Sequence, residues 1–173
     1  MKVLVVVDMQ NDFVDGALGS QDAKAIVPQV AAKIRQYREN HDYVICTRDT
    51  HEENYLSTQE GRNLPVPHCI RGSRGWHIVD SLHCGDLPVV DKVTFGSRQL
   101  PAILEKTFPA ETIESIELVG LCTDICVISN AMVLKAFFPD VPILVDSACC
   151  AGVTPQSHQN ALEAMKACQI QVY

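Results

Sequence analysis

The segment 119–127, with the sequence VGLCTDICV, places a cysteine where thiol chemistry is favoured. It follows an apolar, strand-like run and leads into a helical pattern, so Cys126 falls in a first helical turn that Thr123 or Asp124 can cap. Free N–H groups and the positive end of the helix dipole lower a thiol pKa, and the thiolate attacks carbonyl carbons. Buried cysteines at helix starts are also common in protein cores, so Cys126 needs a base before it can be assigned as a nucleophile.

Asp8 and Lys92 are the residues that can supply a base and a cation. Asp8 directly follows the apolar run 3–7, and burial there raises a carboxyl pKa toward the range of a general base. Lys92 lies between apolar neighbours, where its charge is costly unless it meets an acid such as Asp8. The structural alternatives are a loop-capping aspartate and an edge-strand lysine that discourages aggregation.

A second group of polar residues has the types that bind transition metals. Asp49 and His51 are two residues apart, so an extended backbone points both side chains to one side. Glu60 and His68 follow in the same polar stretch, residues 48–74, whose length without periodicity indicates a functional loop. Carboxylate and imidazole ligands suit Zn²⁺, Mn²⁺ or Fe²⁺, although surface loops often hold Asp and His for other reasons. The remaining histidines lack such companions and are expected on the surface or in the core: His41, His77, His83 and His158.

An alternation of strand and helix patterns predicts how these residues are positioned. Strands are expected at 3–7, 43–47, 88–93, 116–121, 142–146 and 169–173, and helices at 23–40, 100–108, after 121 and at 155–167. This order predicts an α/β fold in three layers, built on a doubly wound, mostly parallel sheet. Ligands bind such sheets at the carboxyl ends of the strands. The residues expected to meet at that edge are Asp8, Asp49, His51, Lys92, Cys126 and Asp146.

Composition and charge argue against several classes of partner. With 173 residues, 47% of them hydrophobic, and no change of composition along the chain, we expect one domain, residues 1–173. A net charge of −7 and the absence of a Lys/Arg stripe argue against nucleic acid as a partner. No apolar stretch has membrane-spanning length, and the N-terminal run is too short for a signal peptide, so a cytoplasmic protein is expected.

Most of the eight cysteines are expected to be reduced. A secreted disulfide scaffold would be shorter and poorer in core residues, and a zinc ribbon would need Cys-x-x-Cys pairs. Cys122 and Cys126 are separated by three residues, whereas redox pairs of the thioredoxin type are separated by two. A thiol redox pair remains an alternative use of these two residues.

With these residues in place, the chain resembles the isochorismatase-like cysteine hydrolases and, among them, is most similar to nicotinamidases. The resemblance covers nearly the whole chain. It rests on DMQNDF at 8–13, TRDTH at 47–51, PHC at 67–69, Lys92, and GLCTDICV at 120–127. It implies a six-stranded parallel sheet with helices on both faces, and a catalytic triad of Asp8, Lys92 and Cys126.

The resemblance also implies a metal site and an oxyanion hole. One divalent ion is implied, zinc first with manganese or iron as alternatives, and its ligands would be Asp49, His51, His68 and, in some relatives, Glu60. A non-proline cis peptide would precede Cys122, whose N–H would join that of Cys126 in the oxyanion hole. Phe13 would be a wall of the substrate pocket, although an aromatic residue after a first strand is equally typical of a core.

The implied activity is hydrolysis of nicotinamide to nicotinate and ammonia through a thioester on Cys126, a reaction of cytoplasmic NAD salvage. The partner would be a small-molecule amide, and homo-oligomers are common for this fold family. Two departures concern the pocket: the chain is shorter than many nicotinamidases, and Leu64 replaces a tryptophan. The alternatives are another family hydrolase, such as an N-carbamoyl amidase or an isochorismatase, or a non-catalytic metal-binding or thiol redox protein.

Overall fold

The centre of the protein is one parallel β-sheet in the computed structural model, which describes residues 1–173. The strands are β1 (Lys2–Val7), β2 (Tyr43–Asp49), β3 (Val89–Lys92), β4 (Ser115–Leu121), β5 (Ile143–Ala151) and β6 (Gln171–Val172). The helices are α1 (Asn11–Val14), α2 (Gln21–Glu39), α3 (Gln59–Asn63), α4 (Leu100–Thr107), α5 (Ile128–Phe137) and α6 (Pro155–Ala167). Short 3₁₀ turns lie at Tyr55–Ser57, Asp80–Leu82 and Ala110–Thr112, and a π-helical turn spans Thr123–Val127.

The strand order is β3-β2-β1-β4-β5-β6, and all neighbouring strands are parallel. This confirms the predicted doubly wound sheet of six strands. The direction of winding reverses between β1 and β4, and such a switch point opens a crevice at the carboxyl ends of the two strands. Asp8 directly follows β1, and the turn that contains Cys126 follows β4, so both lie at this crevice.

Helices cover both faces of the sheet because the side chains of each strand alternate between the faces. In β1, Val3, Val5 and Val7 pack on the face that carries α4, α5 and α6. Leu4 and Val6 pack on the opposite face, beneath α2. All five side chains are fully buried, which explains why the strand is apolar throughout. No helix combines the length and the apolarity that crossing a bilayer requires.

One strand is longer than its pattern predicts, and this changes the position of Asp146. β5 continues to Ala151 because its second half pairs with the end of β4, where Gly120 lies beside Cys150. Asp146 is therefore in the middle of the strand, and the prediction that it meets the other polar residues at the carboxyl edge is wrong. Its carboxylate instead lies 2.7 Å from the ammonium of Lys33 in α2.

Lys33 and Asp146 belong to a polar network between α2 and the sheet. Glu117 of β4 is buried, and its Oε1 lies 2.9 Å from Lys33 Nζ and accepts a hydrogen bond of 2.6 Å from the Tyr173 hydroxyl. Its Oε2 accepts a second hydrogen bond from Tyr37. Burial raises the pKa of Tyr37, and the hydrogen bond to Glu117 raises it further, so the hydroxyl keeps its proton. Both oxygens of this buried carboxylate are thus satisfied, and the network ties α2 to β4, β5 and the C-terminal residue.

Replacing Lys33 with methionine should lower the free energy of unfolding by about 3 kcal/mol, because the change leaves two largely buried carboxylates without their cation. Lys24→Met is the matched control, since Lys24 lies on the same helix and is exposed. Urea denaturation followed by circular dichroism measures the stability of both variants. Equal stability of the two would contradict a stabilising role for the network.

Candidate active site

Three reactive side chains meet at the crevice between β1 and β4. Lys92, the last residue of β3, places Nζ 2.6 Å from Asp8 Oδ2 and 3.4 Å from Cys126 Sγ. The three residues are 0% (Asp8), 3% (Lys92) and 5% (Cys126) exposed, so they interact in a low-dielectric environment. The structure therefore brings together a thiol, a carboxylate and an ammonium group that lie up to 118 positions apart in the sequence.

The charges of this group are set by burial and by mutual contact. Burial raises the pKa of Asp8, while the nearby Lys92 opposes that rise. Burial lowers the pKa of Lys92, but Asp8, Cys126 and Asp49 raise it above its ordinary value, so the ammonium remains charged. Asp8 Oδ1 accepts a hydrogen bond of 2.7 Å from the Thr47 hydroxyl, while Oδ2 makes no aligned hydrogen bond. Oδ2 instead lies 2.6 Å from the Lys92 ammonium, so both carboxylate oxygens have a polar neighbour.

The thiol pKa differs from the expectation based on the helix dipole. Burial raises the pKa of Cys126 well above its ordinary value, and the negative charge of Asp8 raises it further, whereas Lys92 lowers it. The loss of hydration and the charge of Asp8 together outweigh the attraction of the ammonium. Cys126 therefore holds its proton in the free protein, and its activation requires a base at the site.

The turn that presents Cys126 is not capped in the way the sequence predicts. Its residue before the first turn is Cys122, whose carbonyl accepts hydrogen bonds from the N–H groups of Ile125 (3.1 Å) and Val127 (3.0 Å). The two predicted caps point elsewhere: the Thr123 hydroxyl contacts a histidine of α6, and the Asp124 carboxylate accepts from the backbone of the loop after β5. These hydrogen bonds connect the turn to α6 and to the loop after β5.

The backbone before this turn brings β4 very close to β1. Gly120 has φ of +118°, and a Cβ at this position would lie 2.1 Å from the carbonyl oxygen of Val7, so only glycine fits. The peptide bond between Leu121 and Cys122 is cis, as the family resemblance implies. The N–H of Cys122 donates to no backbone acceptor and so is available to a ligand.

Beside Asp8, Lys92 and Cys126, four further side chains converge on one point and form a convergent group. Their ligand atoms all lie within 4.8 Å of one another, and they come from Asp49, His51, Glu60 and His68. His51 Nε2 is 2.9 Å from Asp49 Oδ2 and 3.5 Å from Glu60 Oε1, and His68 Nε2 is 3.6 and 3.7 Å from the same oxygens. Glu60 reaches the group because the polar loop contains a short helix, α3, that its sequence pattern does not predict.

The chemistry of this group fits a divalent cation. His68 Nδ1 lies 2.8 Å from the carbonyl oxygen of Val66, which places the ring proton on Nδ1 and leaves the lone pair of Nε2 toward the other side chains. His51 Nε2 is buried, and its contacts with the two carboxylates lack the alignment of a hydrogen bond. Burial lowers the pKa of His51, but Asp49 and Glu60 raise it to about 9, so the two carboxylates attract positive charge to this point. Two nitrogen and two oxygen donors suit zinc, manganese or iron.

Gln10 is a structural support that sequence reasoning did not single out. Its side chain is completely buried and binds the backbone of Asp49 in both directions. Nε2 donates to the Asp49 carbonyl at 2.8 Å and to the Trp76 carbonyl at 2.9 Å, and Oε1 accepts from the Asp49 N–H at 2.7 Å. The motif DMQNDF was visible in the sequence, but the partner 39 residues away was not.

Asn130 supports the nucleophile in the same way. Its Nδ2 donates to the carbonyl oxygens of Cys126 (2.8 Å) and Phe95 (3.1 Å), and its Oδ1 accepts from the N–H of Ser97 (2.8 Å). A buried amide thus links the turn after β4 to the loop after β3. Lys92 is the last residue of β3, directly before this loop. Within the sequence, only an asparagine on a mostly apolar helix hinted at this role.

One cavity of about 970 Å³ gives access to both groups. It is lined by Cys126 and Cys122 on one side and by the convergent carboxylate and imidazole groups on the other. Phe13 also lines it, with its ring 5.5 Å from that of His68 and only 8% exposed, so this residue is both a cavity wall and part of the core. A small molecule in this cavity would contact the thiol and the convergent group together.

Comparisons with known proteins show the family and the fold to which this chain is similar. The Isochorismatase domain family matches residues 2–173. The chain is similar to a solved pyrazinamidase of Pyrococcus horikoshii in complex with zinc, with 28% identity, 99% of this chain and 98% of that chain covered, and a TM-score of 0.86. It is similar to a nicotinamidase/pyrazinamidase of Bacillus subtilis, with 27% identity, the same coverage and a TM-score of 0.85. A nicotinamidase/pyrazinamidase of Mycobacterium tuberculosis is 24% identical over 99% of this chain and 98% of its own length.

We expect the protein to bind one divalent ion per chain, and His51→Ala to weaken its affinity for zinc at least tenfold, because one of four donors is lost. Elemental analysis and calorimetric titration with zinc measure the stoichiometry and the affinity. His77→Ala is the matched control, since His77 is exposed and lies outside the convergent group. Unchanged zinc affinity in His51→Ala would rule out this ligand set.

Proposed function

The chain belongs to the isochorismatase family, and on this basis we propose that it is a metal-dependent cysteine amidohydrolase that converts nicotinamide into nicotinate and ammonia. The observation that carries the proposal is the contact of Lys92 with both Asp8 (2.6 Å) and Cys126 (3.4 Å), beside a cavity that Cys126 lines together with the four convergent side chains. The names of similar proteins, nicotinamidase and pyrazinamidase, support an aromatic amide as the substrate.

In the first chemical step, Asp8 accepts the proton of Cys126 and the sulfur attacks the amide carbonyl carbon. Asp8 suits this task because burial raises the pKa of its carboxyl group, while Lys92, 2.6 Å from Oδ2, keeps the group at the site. The carbonyl oxygen becomes an oxyanion, for which the N–H groups of Cys122 and Cys126 are the proposed donors. A backbone donor of this kind contributes about 3–4 kcal/mol to stabilisation of the transition state.

In the second step, the tetrahedral adduct collapses and its C–N bond breaks. Asp8 returns the proton to the departing nitrogen, which leaves as ammonia, and the acyl group remains on Cys126 as a thioester. Asp8 then takes a proton from water, the resulting hydroxide attacks the thioester carbonyl, and nicotinate is released as the thiol regains its proton. Lys92 stays charged throughout and holds Asp8 in place.

Asp49, His51, Glu60 and His68 are the proposed ligands of one divalent metal ion, with zinc first and manganese or iron as alternatives. When bound, the ion supplies a Lewis acid to which the ring nitrogen of a pyridine amide can coordinate. Phe13 is the proposed wall against which the ring of the substrate packs. This arrangement would hold the carboxamide toward the thiol, which lowers the entropic cost of the attack.

The cytoplasmic location, the role in NAD salvage, the single domain over residues 1–173 and a homo-oligomeric state stay predictions. The N-carbamoyl amidase and isochorismatase alternatives would use the same fold with a different substrate. A thiol redox protein is the alternative from another class, and it would require reversible oxidation of Cys122 and Cys126.

The proposal is tested by ammonia release from nicotinamide with zinc-loaded protein. Cys126→Ala and Asp8→Asn should each lower kcat at least a thousandfold, because one removes the nucleophile and the other its base. Cys168→Ala is the control, since Cys168 is exposed and lies outside the cavity. Pyrazinamide and an N-carbamoyl amino acid are assayed in parallel.

Turnover of the two aromatic amides, lost in Cys126→Ala, would support the proposal. Turnover of the carbamoyl compound alone would be compatible with the proposed triad and would reject nicotinamide as the substrate. No amide turnover combined with reversible Cys122–Cys126 disulfide formation would favour the redox alternative over hydrolysis.

A further inference from the structure

We propose that His158 is a positioning residue for the nucleophile and that it acts through Thr123. His158 lies in α6, and its Nδ1 is 2.7 Å from the Thr123 hydroxyl oxygen. Thr123 is completely buried and is the first residue of the turn Thr123–Val127, which presents Cys126. The inference rests on the proposed function, because positioning matters only if Cys126 attacks a substrate.

The hydrogen bond to His158 is the only one that the Thr123 hydroxyl makes. A buried hydroxyl without a partner is costly, so loss of the imidazole would favour a different position of the threonine side chain. Thr123 also directly follows Cys122, whose N–H is a proposed oxyanion donor. A shift at Thr123 would therefore move a proposed oxyanion donor and the nucleophile at the same time.

The turn makes few other side-chain hydrogen bonds to α6 and the loop before it. Asp124 accepts hydrogen bonds of 3.1 and 3.2 Å from the N–H of Val153, and this contact lies on the exposed side of the turn. On the buried side, the contact between Thr123 and His158 is the polar link to α6. If the hydrogen bond between Thr123 and His158 is removed, the exposed hydrogen bond between Asp124 and Val153 remains. Water competes with that exposed hydrogen bond.

The backbone at His158 is closely packed against the preceding loop. A Cβ added to Gly152 would lie 2.8 Å from the Cβ of His158, so the loop before α6 packs directly against this residue. Gly152 lines the cavity and His158 does not, which means that the imidazole supports the site without touching a ligand. Burial lowers the pKa of His158, while Asp124 and Asp22 oppose that effect, so the ring is neutral at neutral pH. A neutral ring and a hydroxyl form one hydrogen bond in either tautomer.

The test uses paired substitutions at both ends of the hydrogen bond. His158→Leu and Thr123→Val remove it while keeping much of the side-chain volume, and each should lower kcat for nicotinamide about tenfold or more with KM changed less than about threefold. His158→Asn keeps a polar atom close to the position of Nδ1, and Thr123→Ser keeps the hydroxyl, so both should stay within about threefold of wild-type kcat. Gln159→Ala, an exposed change on the same helix, is the control.

The double variant Thr123→Val/His158→Leu should be no slower than the slower single variant, because both changes break the same contact. A second readout needs no substrate: the rate at which iodoacetamide alkylates Cys126, followed by site-resolved mass spectrometry, should change in the Leu and Val variants and not in the Asn and Ser variants. Urea denaturation confirms that each variant is folded at the assay temperature.

Several results would overturn the inference. Wild-type kcat and wild-type alkylation in His158→Leu would show that Cys126 does not depend on the contact, as would additive losses in the double variant. A loss in His158→Asn equal to that in His158→Leu would indicate a packing role instead. If the wild-type protein hydrolyses no amide, the proposed function fails, whereas the alkylation rates still decide whether His158 positions the thiol.

Discussion

The site depends on one buried ammonium group. Lys92 Nζ lies 2.6 Å from Asp8, 3.3 Å from Asp49 and 3.4 Å from the sulfur of Cys126, and its side chain is 1% exposed. Neither the lysine nor the carboxylates could be buried alone without a large loss of solvation energy, so they are stable only as a set. Because these residues lie at the ends of β1, β2 and β3 or in the turn after β4, their mutual attraction favours one alignment of the strands at the carboxyl edge.

Asp49 connects the two parts of the site. Its Oδ1 faces Lys92 and its Oδ2 faces His51 and His68, so one carboxylate contacts both the triad and the convergent group. Burial raises the pKa of Asp49, but its contacts with the two histidines and the charge of Lys92 hold it below its ordinary value. Gln10 fixes the backbone of Asp49 on both sides, which limits how far this bridging carboxylate can move.

Much of the fold and of the site could be predicted, because each reactive residue directly follows a recognisable strand or belongs to a recognisable motif. The errors concern properties that tertiary contacts decide. Asp146 was placed at a strand end because the apolar pattern stops there, whereas pairing with β4 extends the strand. The thiol pKa was predicted from the helix end alone, but burial beside Asp8 dominates it. His158 had no companion in sequence, since its partner Thr123 lies 35 residues away.

The convergent group and Cys126 lie on different connections between the strands of the sheet. The loop that carries His51, Glu60 and His68 connects β2 to β3, whereas the turn that carries Cys126 follows β4 on the other side of the switch point. Loops tolerate changes in length and sequence more readily than the strands that bear them. The outer part of this loop, which carries Glu60, can therefore vary with less effect on Cys126 than a change in β4 or in its turn would have. A new ligand preference can thus arise within a single connection, while the strands that carry Asp8, Lys92 and Cys126 stay the same.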